Sequence, residues 1–351
     1  MIGAQRAGAA TLAGLMAAAL PLAAVPSAQA AASPGWRIVS THRFGGPPEV
    51  SFLSSVVSTG RNSAWAFGGT DGFGPVSEAP VAEHWNGRSW HVVALPSGLT
   101  GSIAAASAPA VNDVWAVGIT GRFVLHYNGS TWSVARRWNH PPQPTEVTAF
   151  SPTDVWVFGD PGTWHLHGRT WTKVTGLAGS VDSASALSPH DIWAISSAGI
   201  LLRYNGRSWG RVSSKALAGL QFDDVLTVAP GNVWVVARQA SNRPIAPFLL
   251  RLKGTAWTRV RNPSWPVTPF SVAPDGSGGL WINNFAISAS VGPTVDHLSR
   301  AGKWRQYRVP RAGLMYSLSH IPGTASMWGT GLVYSRTGAD AAIWAYGPVS
   351  R

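Results

Sequence analysis

Cysteine is absent from the 351 residues, which excludes disulfide staples, thiolate metal sites, a cysteine nucleophile and lipid attachment through a thiol. Lysine is scarce, occurring only at Lys173, Lys215, Lys253 and Lys303, and charged residues make up only 12% of the chain. Beyond the first thirty residues, no stretch approaches the ~18 uninterrupted apolar residues of a membrane-spanning helix. HExxH and a glycine-rich phosphate loop leading into a helix are also missing, so the common signatures of zinc proteases and nucleotide enzymes do not apply. No Lys/Arg block marks a nucleic-acid surface.

Residues 1–30 read as a secretory leader. Arg6 supplies the positive start, Ala7 to Val25 a small apolar run, and Ala28-Gln29-Ala30 an A-x-A cleavage site. The expectation is a mature chain from Ala31, secreted, extracellular and free of any membrane span. The leader carries one cation and no acid, so removing it lowers the formal net charge from +12 to +11. That balance favours anionic partners such as wall polymers, acidic glycans or phospholipid surfaces over nucleic acid.

Tryptophan, by contrast, is abundant at 19 residues, and its spacing organises the chain. Asn112-Asp113-Val114-Trp115-Ala116-Val117-Gly118 returns as Asp154-Val155-Trp156-Val157-Phe158-Gly159 and Asp191-Ile192-Trp193-Ala194-Ile195. Looser copies centre on Trp65, Trp234, Trp281 and Trp328. Separations between these tryptophans run 50, 41, 37, 41, 47 and 47 residues, close to the ~40–50 residue period of propeller repeats. Within one repeat, small-residue, Trp-bearing, third and fourth strands follow each other, with Asn128-Gly129 a strong hairpin signal. A second tryptophan set (Trp90, Trp132, Trp171, Trp209, Trp257, Trp304) marks the fourth strands. Its missing member is Trp36 at the other end of the chain, while Ala342 to Gly347 ends the last repeat after its third strand. The prediction is an all-β, seven-bladed β-propeller of four-stranded antiparallel blades over residues 31–351. The strand around Trp36 completes the C-terminal blade and removes free edges.

The Asp-Val-Trp strand followed by His126-Tyr127-Asn128-Gly129-Ser130-Thr131-Trp132 resembles the tryptophan-rich secreted bacterial propellers related to BNR/Asp-box repeats. Gly129-x-Thr131-Trp132 and Gly168-x-Thr170-Trp171 fit the Asp-box ending, whereas Tyr127 and Leu166 stand where its aspartate belongs. The resemblance implies an architecture and leaves the reaction open.

Repetition also separates framework from candidate function. Asp113, Asp154 and Asp191 recur before the Trp strand and read as turn residues. His84, His126, His165 and His297 share one third-strand position and cannot converge on one site. His165 and His167 face one way but lack a third ligand, so no metal site is expected there. The intervals from central Trp to third strand are longest in blades five, six, seven and one, placing Asp71, Phe73, Glu78, Asn242, Arg243, Asn284, Phe285, Tyr334 and Arg336 on an arc of long top-face loops. Neighbouring loops carry Arg43, Phe44, Arg136, Arg137, Trp138 and Trp265. Exposed aromatic rings beside arginines suit sugar stacking and anion pairing. The ligand-binding set expected is therefore Arg43, Phe44, Arg136, Arg137, Trp138, Trp265, Phe285 and Arg336.

Acids collect where the innermost strands begin: Glu49, Glu146, Asp182, Asp223 and Asp224, with Asp160 nearby. Paired carboxylates at a channel mouth suit acid/base hydrolysis or Ca²⁺. The leading expectation is a monomeric, non-enzymatic, cofactor-free binding module for an extracellular glycan or anionic cell-wall polymer. A glycoside hydrolase or polysaccharide lyase using Glu146, Asp182 and Asp224 is the alternative, and a protein-interaction scaffold the second.

Overall fold

The computed structural model describes residues 35–45, 50–71, 78–140, 142–177, 179–240, 246–263, 265, 269, 271–284 and 292–349. The expected leader, Glu49, Phe73, Asn242, Arg243 and Phe285 lie outside the described residues. Among those residues the only helical turn is a 3-10 turn at Lys215–Leu217; the rest is strand and connection.

β1 (Trp36–His42) precedes a meander of β2 (Val50–Gly60), β3 (Ser63–Asp71), β4 (Pro80–Trp85) and β5 (Trp90–Val92). Next come β6 (Ile103–Ala110), β7 (Asp113–Gly118), β8 (Phe123–Tyr127) and β9 (Trp132–Arg137), then β10 (Gln143–Ser151), β11 (Asp154–Asp160), β12 (Trp164–His167) and β13 (Thr170–Lys173). The pattern repeats in β14 (Val181–Ser188), β15 (Asp191–Ser196), β16 (Leu201–Tyr204) and β17 (Trp209–Arg211). It continues through β18 (Leu220–Ala229), β19 (Asn232–Gln239), β20 (Phe248–Lys253) and β21 (Ala256–Val260). β22 (Ser271–Pro274), β23 (Leu280–Asn284), β24 (Thr294–Leu298) and β25 (Trp304–Arg308) follow, and β26 (Gly313–His320), β27 (Met327–Ser335) and β28 (Gly338–Tyr346) end the chain.

From β6 to β25 each successive group of four is an antiparallel sheet in chain order. β26-β27-β28 and β2-β3-β4-β5 form one eight-stranded sheet with β1, which pairs β28. Within it, β1 runs antiparallel to β28 from Trp36↔Tyr346 to His42↔Ala341. β28 meets β2 through one parallel pair, Val50↔Ala339.

The second strand of each sheet is the most deeply buried. β7 is buried along its whole length, and Trp65, Trp115, Trp156, Trp193, Trp234, Trp281 and Trp328 are all at most 4% exposed. β-branched and aromatic side chains on both faces suit a strand packed between neighbouring sheets. Fourth-strand tryptophans then meet the central tryptophan of the preceding sheet. Trp132 lies edge-on to Trp65 at 5.1 Å, Trp209 to Trp156 at 5.9 Å and Trp257 to Trp193 at 6.1 Å. Trp90 meets Trp328 at 5.1 Å, and Trp36 from β1 meets Trp281 at 5.6 Å. Each such edge-to-face pair adds ~0.5–1.5 kcal/mol to the apolar burial it brings.

Third-to-fourth-strand turns follow directly from Asn-Gly. The Asn128 side-chain oxygen accepts the Ser130 and Thr131 amides at 3.0 Å, and Gly129 takes φ +92°, a conformation that disfavours any side chain. Asn86 and Asn205 make the same turn.

The recurring aspartates do more than shape turns. Asp113 Oδ1 accepts from Trp115 Nε1 at 2.8 Å and pairs with His126 Nε2 at 2.9 Å, while the His126 ring stacks on Trp115 at 4.1 Å. Asp154 with His165 and Asp275 with His297 repeat the pairing. Arg203 replaces the histidine opposite Asp191 and lies over Trp193. Burial opposes ionisation of Asp275, but bonds from His297, Ser277 and the Gly279 amide outweigh it and hold its carboxyl below the usual range.

One expected loop is absent. The long interval after Trp328 extends β27 and β28 into a hairpin, so Tyr334 lies in β27 and Arg336 at its tight turn.

Candidate functional site

First strands of consecutive sheets are joined by side chains bonding to backbone. Ser54 Oγ donates to the Ile103 carbonyl, Ala149 N to Ser107 Oγ at 3.0 Å, and Thr145 Oγ1 to the Val181 carbonyl at 2.8 Å. Thr227 N donates to Ser185 Oγ at 2.9 Å, Leu318 N to Ser271 Oγ at 3.3 Å and Val56 N to Ser317 Oγ at 3.3 Å. Between β18 and β22 the acceptor is the Asp224 carboxylate, which takes the Val272 amide. Small hydroxyl residues let these strands approach closely while satisfying edge amides.

The same strands surround a cavity of about 450 Å³. β2, β6, β10, β14, β18, β22 and β26 all contribute to its wall, which carries Glu146, Asp182, Asp223, Asp224 and Tyr316. The sequence placed Glu146, Asp182 and Asp224 at a common mouth, and the structure brings them to one cavity.

Their environments differ. Glu146 is enclosed by protein while keeping partial contact with the channel, and its Oε1 accepts the Val147 amide at 2.9 Å. Burial pushes its pKa up to about 8, with the nearby Asp224 charge adding to the rise. Asp224 rises to about 6, chiefly through burial, although Ser183 Oγ at 2.7 Å and the Val225 amide at 2.9 Å support its charged form. Asp182 is more exposed; burial and the Asp160 charge raise its pKa. Asp223 is held by Arg238 Nε at 3.0 Å. Among the described residues, Glu146, Asp182 and Asp224 have no cationic partner. No group of three or more His, Asp or Glu among the described residues is arranged to hold a metal ion.

The aromatic–arginine set is placed differently. Trp138 and Trp265 are not exposed rings: they are 8% and 3% accessible. Trp138 packs against Trp164 and Trp171, with Arg136 lying over both Trp138 and Trp164. Trp265 meets Trp304 and donates from Nε1 to Asp296 Oδ2 at 2.8 Å. Phe44 is half-buried against the core, and Arg43 is engaged by Asp340 at 2.6 Å, Thr337 and Ser335. Arg137 lies in β9, exposed, with one bond to the Gly98 carbonyl, and Arg336 is exposed. The structure therefore does not assemble these residues into a stacking surface.

Two buried acids escaped the sequence reading. Glu83 and Asp296 are 0% exposed on third strands, at the position held elsewhere by Leu125, Leu202, Leu250 and Ile343. An acid at a repeated apolar position was the available signal. Asp296 is satisfied by Trp265, Asn284 and Gln306. Glu83 Oε2 faces His42 Nδ1 at 3.2 Å and Ser40 Oγ at 3.4 Å, while its buried Oε1 has no partner among the described residues. Gly206-Arg207-Ser208-Trp209-Gly210 matches the GxSxG spacing, but it forms the β16–β17 hairpin, with the Ser208 amide bonded to Asn205. A nucleophile elbow needs a strand-to-helix turn, so this serine carries no hydrolase reading.

No family model and no curated protein matches the chain. Solved structures do. Virginiamycin B lyase from Staphylococcus aureus, an inactive variant with quinupristin, superposes with a TM-score of 0.63 at 9% identity, covering 88% of this chain and 99% of that one. YCF48 bound to D1 peptide gives 0.60 at 13%, covering 89% and 97%. The WD40 β-propeller domain of Doa1 gives 0.58 at 11%, covering 88% and 97%. At such identities the likeness is one of fold: the chain is an all-β, tryptophan-rich β-propeller.

Proposed function

We propose that the chain is an exported binding module, a closed seven-bladed propeller that takes a polyhydroxylated glycan at the central cavity. Closure is supported by β1, whose Trp36 meets Trp281 as other fourth-strand tryptophans meet their neighbours, and by the Ser317–Val56 bond between β26 and β2. Export is supported by the leader-like residues 1–30.

The cavity wall carries the functional reading. Near neutral pH a group with a pKa of about 8 keeps its proton and one of about 6 is mostly ionised. Glu146 then donates a hydrogen bond and Asp224 accepts one, which matches the mixed donor–acceptor character of sugar hydroxyls. A polyanion would be repelled by Asp182 and Asp224, which have no cationic partner among the described residues, so the cavity favours neutral or amino sugars. Retention of purified mature protein on an array of neutral, amino and acidic oligosaccharides tests this. Neutral or amino sugars should be retained, and Glu146→Gln with Asp224→Asn should abolish retention. Retention unchanged in that double variant rules the cavity out.

One observation favours a second reading. A protonated Glu146 beside an ionised Asp224 is the acid–base pairing that glycoside hydrolysis uses. Release of shorter oligosaccharides on the same array, lost in either single variant, would make the module an enzyme.

A further inference from the structure

The outermost strands carry charge of one sign. β1, β5, β9, β13, β17, β21 and β25 contain no Asp or Glu, whereas Arg137, Lys173, Arg211, Arg259 and Arg308 project from five of them and are exposed. The adjoining hairpin turns add exposed Arg88, Arg169, Arg207 and Lys303, and Lys253 is exposed at the end of β20. None of these cations forms an ion pair among the described residues. Among the described residues the acids lie elsewhere: along the cavity, paired to His or Arg, buried at Glu83 and Asp296, or at the loop ends of second and third strands at Asp71, Glu78 and Asp160.

We infer that this outer belt is a second binding surface, independent of the cavity, for a soluble, flexible, linear polyanion bearing phosphate groups. Edge protection alone needs only an occasional charge. Here ten exposed cations crowd the outer strands and the hairpins beside them, and the planar fork of the seven arginines among them pairs with phosphate oxygens two at a time. Among the described residues each of these strands has a hydrogen-bonded neighbour strand on one side only, leaving edge amides beside the guanidiniums as further donors. The cations are spread over many sheets facing away from the cavity. A flat bilayer can touch only part of such a belt, while a flexible polymer can follow it from sheet to sheet.

The probe is inorganic polyphosphate of graded length, titrated into the full chain at rising salt, beside polygalacturonate and anionic phospholipid vesicles. Affinity for polyphosphate should rise with chain length until the belt is spanned, then level off, and fall log-linearly with salt as counterions are released. Lys173→Glu with Arg211→Glu and Arg308→Glu should weaken it at least tenfold, while the charge-preserving set Lys173→Arg, Arg211→Lys and Arg308→Lys should weaken it less, losing the guanidinium fork at two positions but keeping the charge. All are exposed side chains with no side-chain hydrogen bond among the described residues, and circular dichroism with thermal melting checks folding. Equal binding by the charge-reversed set, no length dependence, or stronger binding to vesicles or polygalacturonate than to polyphosphate overturns the inference. Retention of oligosaccharides by the charge-reversed set separates this surface from the cavity.

Discussion

Trp36, near the start of the described chain, lies edge-on to Trp281 with ring centroids 5.6 Å apart and planes at 89°. Trp36 is 7% exposed and belongs to a core cluster with Met315, Met327 and Trp344, so the first strand is built into the packing of the last ones. Replacing Trp36 with Ala should cost about 3–5 kcal/mol, as for other buried tryptophans. Denaturant unfolding measures it. A loss below ~1 kcal/mol would mean that β1 contributes little to the core.

Glu146 makes stability depend on pH with a definite sign. Its carboxyl has an ordinary pKa of 4.5 unfolded and about 8 folded, so the folded state binds the extra proton between those values. That contribution is fully present below the unfolded pKa and disappears as pH rises through about 8. Glu146→Gln should therefore gain stability relative to the parent as pH rises from about 4.5 to about 8, read by melting temperature in a pH series. A constant difference across that window would contradict the enclosed carboxyl.

Asp113→Ala removes one acceptor from two donors, Trp115 Nε1 and His126 Nε2. Leaving a buried donor unpaired costs about 1–3 kcal/mol. The expected loss is in that range or above it, measured by the same unfolding assay, and a double change with His126→Ala should be less than additive because the pair is in contact.

Trp138→Ala and Trp265→Ala should each lower the melting temperature, since both rings are packed among other tryptophans. Trp265→Phe should also destabilise, because Asp296 loses the donor at 2.8 Å. Oligosaccharide affinity of the folded fraction should stay unchanged. A selective loss of binding without loss of stability would restore these tryptophans as ligand contacts.

How far the chain could be read from sequence depended on repetition. The Trp-bearing strands, their Asn-Gly turns and the pairing of the Trp36 strand with the C-terminal strand followed from a pattern present many times over. Glu146 and Asp224 were found because each stands six residues before a turn proline, which puts them at equivalent points of their first strands, while Asp182, seven before its proline, matches Asp223 at the bulge. Trp138 and Trp265 sit in connections with no period. There, a tryptophan beside arginine and proline has the same appearance whether it faces solvent or tucks beneath the loop, and in this chain it tucks beneath. The Arg43 pairing with Asp340 joins residues 297 apart in sequence, a contact no local pattern encodes. The hairpin of β27 and β28 looked like a loop because interval length does not distinguish a longer strand from a longer connection.

The chemistry proposed for the cavity rests on one carboxyl holding its proton at neutral pH beside one that has lost it. Carbon-13 NMR of carboxyl-labelled protein, assigned with Glu146→Gln and Asp224→Asn and repeated with an oligosaccharide retained on the array, tests this directly. Glu146 titrating near 8 and Asp224 near 6, with both resonances moving on sugar addition, is the expected result. Glu146 titrating at an ordinary carboxylate pKa, with neither resonance responding to sugar, would contradict it.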